Sequence, residues 1–364
     1  IVGQTPCNLV MKPAWVIASC CLIFAVKNMS LEPIGAEEAL DLYLEDKTSS
    51  TSQATLYSHS SRLGHFIRWC TQNEINNLNE LTGRSLHKYR IWRRRDGGLA
   101  PVSEKTQMDT LRVFIRWLEA IDGVHQDLST KVQSPSLGVN DNVRDVMLEK
   151  ERADDLIQYL ETYRYASLTH VVMAFLWHTM MRIGGVRALD LEDYNQREQY
   201  IEVLHRPETG TPIKNKEFGE RMVALSGPMC TLLDDWTTDQ RPQTTDEYGR
   251  NPLLSTSHGR ISKTSLRGHC YRHTRPCKSQ KECPHDRDLD TCEALKSDGA
   301  SLCPSSVSPH AVRRGSITHS LNQDVPMTVI SDRANVSSKV LKKHYDRRTK
   351  KEKMEKRREF VDDM

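Results

Sequence analysis

Several side chains in the C-terminal two thirds of this chain could together act on a phosphate ester. Arg182 stands alone, His310 and Arg313 are three residues apart, and Tyr345 follows them. Guanidinium groups bind phosphate oxygens bidentately, an imidazole can move a proton, and a phenol can become a nucleophile when a base takes its proton. Attack on phosphorus builds negative charge, so cations must surround it beforehand. These residue types could therefore carry out phosphoryl transfer.

One of two lysines could act as a general acid beside these residues. Lys214 and Lys216 lie between two short segments, 199–204 and 221–225, whose composition is typical of strands. A lysine in the turn of such a hairpin could protonate a leaving hydroxyl. Counting back from the second strand favours Lys216, whereas a longer turn favours Lys214, so both remain candidates.

Four segments that contain these residues resemble, in order, the signature of the tyrosine recombinases and phage-type integrases, and most of all the Xer-type and archaeal integrases. The resemblance runs from about Met29 to Met364 and rests on HTMMRIGGVRALDLED at 178–193, TPIKNKEFGERMVAL at 211–225, SPHAVRRGSITH at 308–319 and ISDRANVSSKVLKKHY at 330–345. It implies that Tyr345 is the nucleophile and that the other catalytic residues are Arg182, Lys214 or Lys216, His310, Arg313 and Asn335.

Two positions depart from the family pattern. Gly185 replaces the acidic residue that commonly follows the first catalytic arginine by three places, which leaves Asp190 or Asp193 as substitutes that could orient Arg182. Asn335 stands where the family most often has His or Trp, although an asparagine can still donate a hydrogen bond to a phosphate.

The resemblance implies a site-specific recombinase or integrase that cuts and rejoins double-stranded DNA through a 3′-phosphotyrosine intermediate. It implies a homotetramer at the DNA synapse, no cofactor for catalysis and no ATP, and the sequence contains no P-loop pattern. Two alternatives stay open: a DNA-binding protein of the same fold with impaired catalysis, and a type IB topoisomerase-like enzyme that nicks and closes DNA.

The elements that must position these residues are mainly α-helices with one small β-hairpin. A length of 364 residues predicts two domains. Helical periodicity over 29–122, together with the resemblance, predicts a SAM-like core-binding domain, with 123–142 as a linker rich in helix breakers and 143–364 as the catalytic domain. In the first domain a basic cluster could contact DNA phosphates: Lys88, Arg90, Arg93, Arg94 and Arg95.

The remaining features concern location and metal. The net charge is only +3, and the ten cysteines do not form a framework of the secreted type, which favours a reducing cytoplasm. The apolar segment 14–26 is too short to span a membrane, and we expect the natural start at Met29, with 1–28 as upstream sequence translated by mistake. An insert at 255–305 could hold a structural zinc ion through Cys270, Cys277, Cys283, His285 and Cys292.

Overall fold

The structure is a computed structural model that describes residues 31–138, 141, 146–278, 283–296, 298–345, 354, 358 and 361. The chain divides into two compact units, Ile1–Asn142 and Val143–Met364. The fold is mainly α-helical with a small antiparallel sheet, as the sequence predicts. Segment 14–26 and Met29 lie outside the described residues. Across the described ranges, no helix is long and apolar enough to cross a membrane.

The first unit is a bundle of four helices, α1 (Ala36–Thr48), α2 (Gln53–Gln72), α3 (Gly83–Asp96) and α4 (Pro101–Ala120). Its core is rich in aromatic rings, with Phe66 against Tyr89 at 5.1 Å between ring centroids and Tyr43 against Phe114 at 5.2 Å. Both pairs meet edge to face, which is a favoured aromatic geometry. The four helices therefore share one apolar core.

The segment after α4 belongs to this core for longer than its composition predicts. Val124, Leu128 and Val132 are buried in it, and a 3-10 helix covers Leu128–Lys131. The buried Glu119 carboxylate accepts hydrogen bonds from the backbone and side chain of Ser129. The first ten residues of the predicted linker 123–142 thus pack in the core of the first unit, because their apolar side chains are buried there despite their irregular spacing.

The second unit is larger. Its helices are α5 (Lys150–Tyr163), α6 (Leu168–Thr179), α7 (Ile183–Ala188), α8 (Gly227–Asp235), α9 (Lys263–His273), α10 (Pro309–Asn322), α11 (Met327–Ala334) and α12 (Ser338–His344). Nearly every side chain of α6 is buried, and α5, α8, α9 and α10 all pack on it. A helix that is apolar on all sides lies at the centre of a core.

A three-stranded antiparallel sheet lies beside these helices in the order β1 (Tyr194–Asn195), β2 (Tyr200–Val203) and β3 (Arg221–Ala224). Ile201 pairs with Val223, and both are buried. The predicted hairpin of β2 and β3 is confirmed. The edge strand β1 was not predicted, because two residues are too few to show a strand pattern in the sequence. A second, smaller hairpin joins β4 (Ser255–Thr256) to β5 (Gly259–Arg260).

Candidate active site

The start of α10 positions His310 and Arg313. Ser308 caps the helix by accepting a hydrogen bond from the backbone N–H of Ala311, and Pro309 occupies its first turn, where the missing N–H costs nothing. His310 and Arg313 are three residues apart and therefore lie on one face of the helix. Both line a cleft of about 270 Å³ together with Arg182.

Arg313 is a buried cation that is only partly satisfied. Its side chain is 1% exposed and its Nη1 donates to the carbonyl of Met180. Its Nε and Nη2 atoms are buried without a hydrogen-bond partner of good geometry in the described parts of the chain. Burial, with Arg182 next in effect, lowers the pKa of Arg313 to about 10, so the group stays charged at neutral pH. An unsatisfied buried guanidinium is costly unless an anion completes its bonding.

Arg182 lies directly before α7, where the chain leaves α6. Met180 ends α6 in the left-handed conformation, with φ of 56°, and this turn brings Arg182 towards the C-terminal end of α11. Its Nη1 donates to the carbonyl of Asn335 at 2.8 Å. Burial lowers the pKa of Arg182, while the nearby Tyr345 raises it.

Tyr345 ends α12 and is 4% exposed. Its ring packs in a small apolar cluster with Ile317, Ile330 and Leu341. It interacts with the charges of both Arg182 and Arg313 and is within hydrogen-bonding reach of Arg313. The structure thus brings the predicted nucleophile to the two predicted arginines, although Arg182 lies more than 150 residues before Tyr345 in sequence.

The lysine turn, which we define as residues 214–219 between β2 and β3, is hydrogen-bonded to Asn335, next to Arg182. Lys214 and Lys216 are both exposed on it. Asn215 and Lys216 have left-handed backbones, with φ of 74° and 52°, a conformation that costs free energy for residues other than glycine. The Asn215 side chain donates to Oδ1 of Asn335 at 3.0 Å. Asn335 therefore contacts both Arg182 and the lysine turn.

Two further arginines, Arg221 and Arg333, lie at this site and were not predicted. Burial lowers the pKa of Arg221 to about 10, with smaller contributions from Arg182 and Arg333. Within the described ranges no salt bridge joins Arg182, Arg221, Arg313 or Arg333 to a carboxylate. The only sequence signal for Arg221 is its place at the start of a strand beside a lysine-bearing turn. This concentration of unpaired positive charge favours an anionic ligand.

Helix α9 supplies two residues of the cleft that sequence reasoning also missed, Arg267 and Tyr271. They are four residues apart, one helical turn, and Lys263 lies one turn before Arg267. Burial and the charges of Arg187 and Arg267 lower the pKa of Lys263.

Comparison with solved structures places this architecture among known folds. An integrase of the transposon Tn1549, solved with transposon right end DNA, is 13% identical and covers 90% of this chain and 100% of its own, with a TM-score of 0.64. A lambda integrase dimer bound to a core site is 14% identical and covers 88% of this chain and 79% of its own, with a TM-score of 0.59. The chain has the tyrosine recombinase fold. Neither the protein-family models nor the curated proteins contain a match to it. An N-terminal domain of a phage integrase/site-specific recombinase from Haloarcula marismortui is 33% identical over 29% of the chain, covers 99% of that domain and has a TM-score of 0.28.

In this recombinase fold Asp190 and Asp193 do not take over the role of the acid missing at Gly185. Asp190 is 1% exposed and pairs with Arg250 and Arg260, and Asp193 pairs with Arg206 at 2.5 Å. Gly185 faces the side chains of Met181 and Val203. The expectation that either aspartate orients Arg182 is wrong, because both carboxylates already pair with other arginines.

The basic cluster of the first unit is divided between two roles. Arg90 pairs with the buried Glu104 at 2.6 Å, and Arg93, 5% exposed, donates to Gln107 at 2.8 Å. These two arginines fasten α3 to α4, so the structure does not present them to DNA. The other three members of the basic cluster, Lys88, Arg94 and Arg95, are exposed.

The five predicted zinc ligands do not fit a metal as a set. Cys270 is fully buried in the main core of the second unit, among apolar side chains. His285 hydrogen-bonds Ser305 at 2.8 Å. Among the described residues, no group of three or more potential ligands could hold a metal ion. Residues 279–282 and 297 of this insert lie outside the described part.

Proposed function

We propose that this protein is a site-specific recombinase that cuts and rejoins DNA through a covalent bond to Tyr345. The observation that carries the proposal is the proximity of Tyr345 to Arg182 and Arg313 beside a cleft, where two nitrogens of the buried Arg313 have no hydrogen-bond partner among the described residues. A phosphodiester in this cleft would supply oxygens to those nitrogens. It would also offset the repulsion among the arginines.

The proposed step exchanges one phosphate ester for another. The Tyr345 oxygen forms a bond to phosphorus while the bond from phosphorus to the 5′ oxygen breaks, and the phenolic proton passes to His310. Arg182 and Arg313 stabilise the extra negative charge of the transition state. The product is a 3′-phosphotyrosine and a 5′ hydroxyl, and attack by another 5′ hydroxyl reverses the step without ATP.

A lysine of the lysine turn completes the reaction by giving a proton to the departing 5′ oxygen. Lys214 and Lys216 are both exposed and so accessible to DNA. Asn335 supports this arrangement because it hydrogen-bonds both Asn215 in the turn and Arg182.

Double-stranded DNA is the proposed partner, and a tetramer on two DNA sites the proposed working state. Structures with the same fold include the Tn1549 integrase with circular intermediate DNA and a lambda integrase tetramer on a Holliday junction. On the first unit, the exposed Lys88, Arg94 and Arg95 are the proposed phosphate contacts.

Trapping the covalent intermediate tests the proposal. DNA sites would first be selected from a randomised pool by binding to the Tyr345→Phe protein, and nicked suicide duplexes would be built from the selected sequence. We expect the wild-type protein to give a protein–DNA adduct that resists denaturant, and the Tyr345→Phe protein to give none.

Three outcomes separate the alternatives. Binding without an adduct from the wild-type protein means a DNA-binding protein that does not cut, and an adduct with Tyr345→Phe means a different nucleophile. An adduct whose strands are resealed but never exchanged between two sites means a topoisomerase-like enzyme. Strand exchange accompanied by a tetrameric complex confirms a recombinase.

A further inference from the structure

Arg221 joins the lysine turn to the end of α11. It is the first residue of β3, and most of its side chain is buried. Its Nη1 donates to the carbonyl of Gly219, the last residue of the turn, at 2.8 Å. Its Nε donates to the carbonyl of Arg333 at 3.1 Å. One guanidinium thus holds two backbone segments that are more than 110 residues apart.

The carbonyls of Gly219 and Arg333 can both accept a hydrogen bond from a cationic side chain. Arg333 lies in the last turn of α11, where carbonyls have no partner within the helix and the helix dipole is negative. The fork of a guanidinium can reach two such acceptors at fixed angles, whereas an ammonium acts as a point charge. Arg221 therefore fits this position by shape as well as by charge.

The end of α11 is itself fastened, so a turn tied to it is also held. Nη1 of Arg333 donates to the carbonyl of Ala224 in β3 at 2.7 Å, and its Nη2 donates to the carbonyl of His178 at 2.9 Å. Asn335, directly after α11, accepts from Asn215 in the turn and from Arg182. The turn thus has two ties to α11, one through Arg221 and one through Asn215.

We propose that Arg221 is a positioning residue for proton transfer, which holds the lysine turn against α11 so that its lysine meets the departing 5′ oxygen. This inference rests on the proposed function. It assigns Arg221 no contact with the phosphate, and it predicts a defect only in the step that needs the lysine.

Cleavage of two DNA substrates tests it: one with the natural 5′ oxygen, the other with sulfur at that position, a leaving group that needs no proton. We expect Arg221→Gln to lower cleavage of the oxygen substrate about 10- to 100-fold, a part of the 100- to 10,000-fold that general acids typically contribute. With the sulfur substrate we expect it to cleave within about threefold of the wild-type rate, as a variant of the catalytic lysine should. Equal losses on both substrates would overturn the inference.

Two further variants guard against a folding defect. Asn215→Gly removes the other tie at an exposed residue and still allows the left-handed backbone, so we expect the same rescue by sulfur in a protein that folds normally. Arg241→Gln is the matched control: Arg241 is also buried and donates to backbone carbonyls, at Pro252 and Thr244, away from the turn. We expect Arg241→Gln to change cleavage of the oxygen and the sulfur substrate by the same factor. If the wild-type protein cleaves neither substrate, the proposed function fails; if it cleaves both and neither tie variant is rescued, only this inference fails.

Discussion

At the scale of single residues, the site contains arginines that form no salt bridge with any carboxylate in the described part of the chain. Burial disfavours the charged form of Arg313, and Arg182 adds repulsion. By contrast, Arg250 and Arg260 have a carboxylate within the fold, that of Asp190. The arginines around Asp190 are neutralised within the fold, whereas Arg182 and Arg313 are not neutralised by any carboxylate that the structure describes. Arg182 and Arg313 are therefore suited to bind an anionic ligand.

Replacing either of the two proposed catalytic arginines should therefore affect cleavage more than DNA binding. We expect Arg182→Ala and Arg313→Ala each to lower the rate of adduct formation about 100- to 1000-fold, the typical effect of one transition-state donor. Arg197→Ala, which removes an exposed charge in the turn between β1 and β2, is the control and should cleave normally. A loss of DNA binding that matches the loss of cleavage would assign these arginines to folding or binding instead.

At the scale of elements, the lysine turn is the most constrained part of the site. It contains two consecutive left-handed residues, and its last residue, Gly219, packs closely against the backbone of its first residue, Lys214. A Cβ atom at Gly219 would lie well inside van der Waals contact with the backbone carbonyl of Lys214 and 2.9 Å from Nδ2 of Asn335. The turn can reach α11 only if residue 219 has no side chain.

Gly219→Ala should consequently displace the turn. We expect it to destabilise the protein by about 1 to 3 kcal/mol, as overpacking does, and to slow cleavage of the oxygen substrate. Gly227→Ala is the matched control, because a Cβ atom there meets nothing within 4 Å. Urea unfolding and adduct formation would be measured for both variants, and equal behaviour of the two would contradict the close contact at Gly219.

At the scale of the whole molecule, three half-buried histidines make the second unit sensitive to acid. Burial is the main cause that lowers the pKa of His178, His269 and His273 to about 4, and neighbouring cations add to it. His178 accepts a hydrogen bond from the backbone of Ser226 and is therefore neutral in the folded protein. Between pH 6.5, their ordinary value, and pH 4, these groups bind protons mainly in the unfolded chain.

The free energy of unfolding should therefore fall as the pH falls through this window. We expect a lower urea midpoint at about pH 5 than at about pH 7, and a smaller difference in His269→Gln, which removes one of the three groups. His258→Gln, at an exposed position, should leave the pH dependence unchanged. A pH dependence that His269→Gln does not reduce would show that the carboxylates dominate it.

The helical class and the hairpin could be predicted from the sequence because both depend on local patterns, and the candidate residues of the site followed from the family resemblance. Ser-Pro before His310 specifies a helix start, and alternating apolar residues specify the strands around Lys214 and Lys216. The pairing of charges became known only from the tertiary structure. Asp190 pairs with arginines 60 and 70 residues away, Arg90 and Arg93 join two helices, and Cys270 belongs to the core. Arg221 acquires its role for the same reason: its partners lie 112 residues away in α11 as well as next to it in the turn, and sequence spacing does not report distances across the fold.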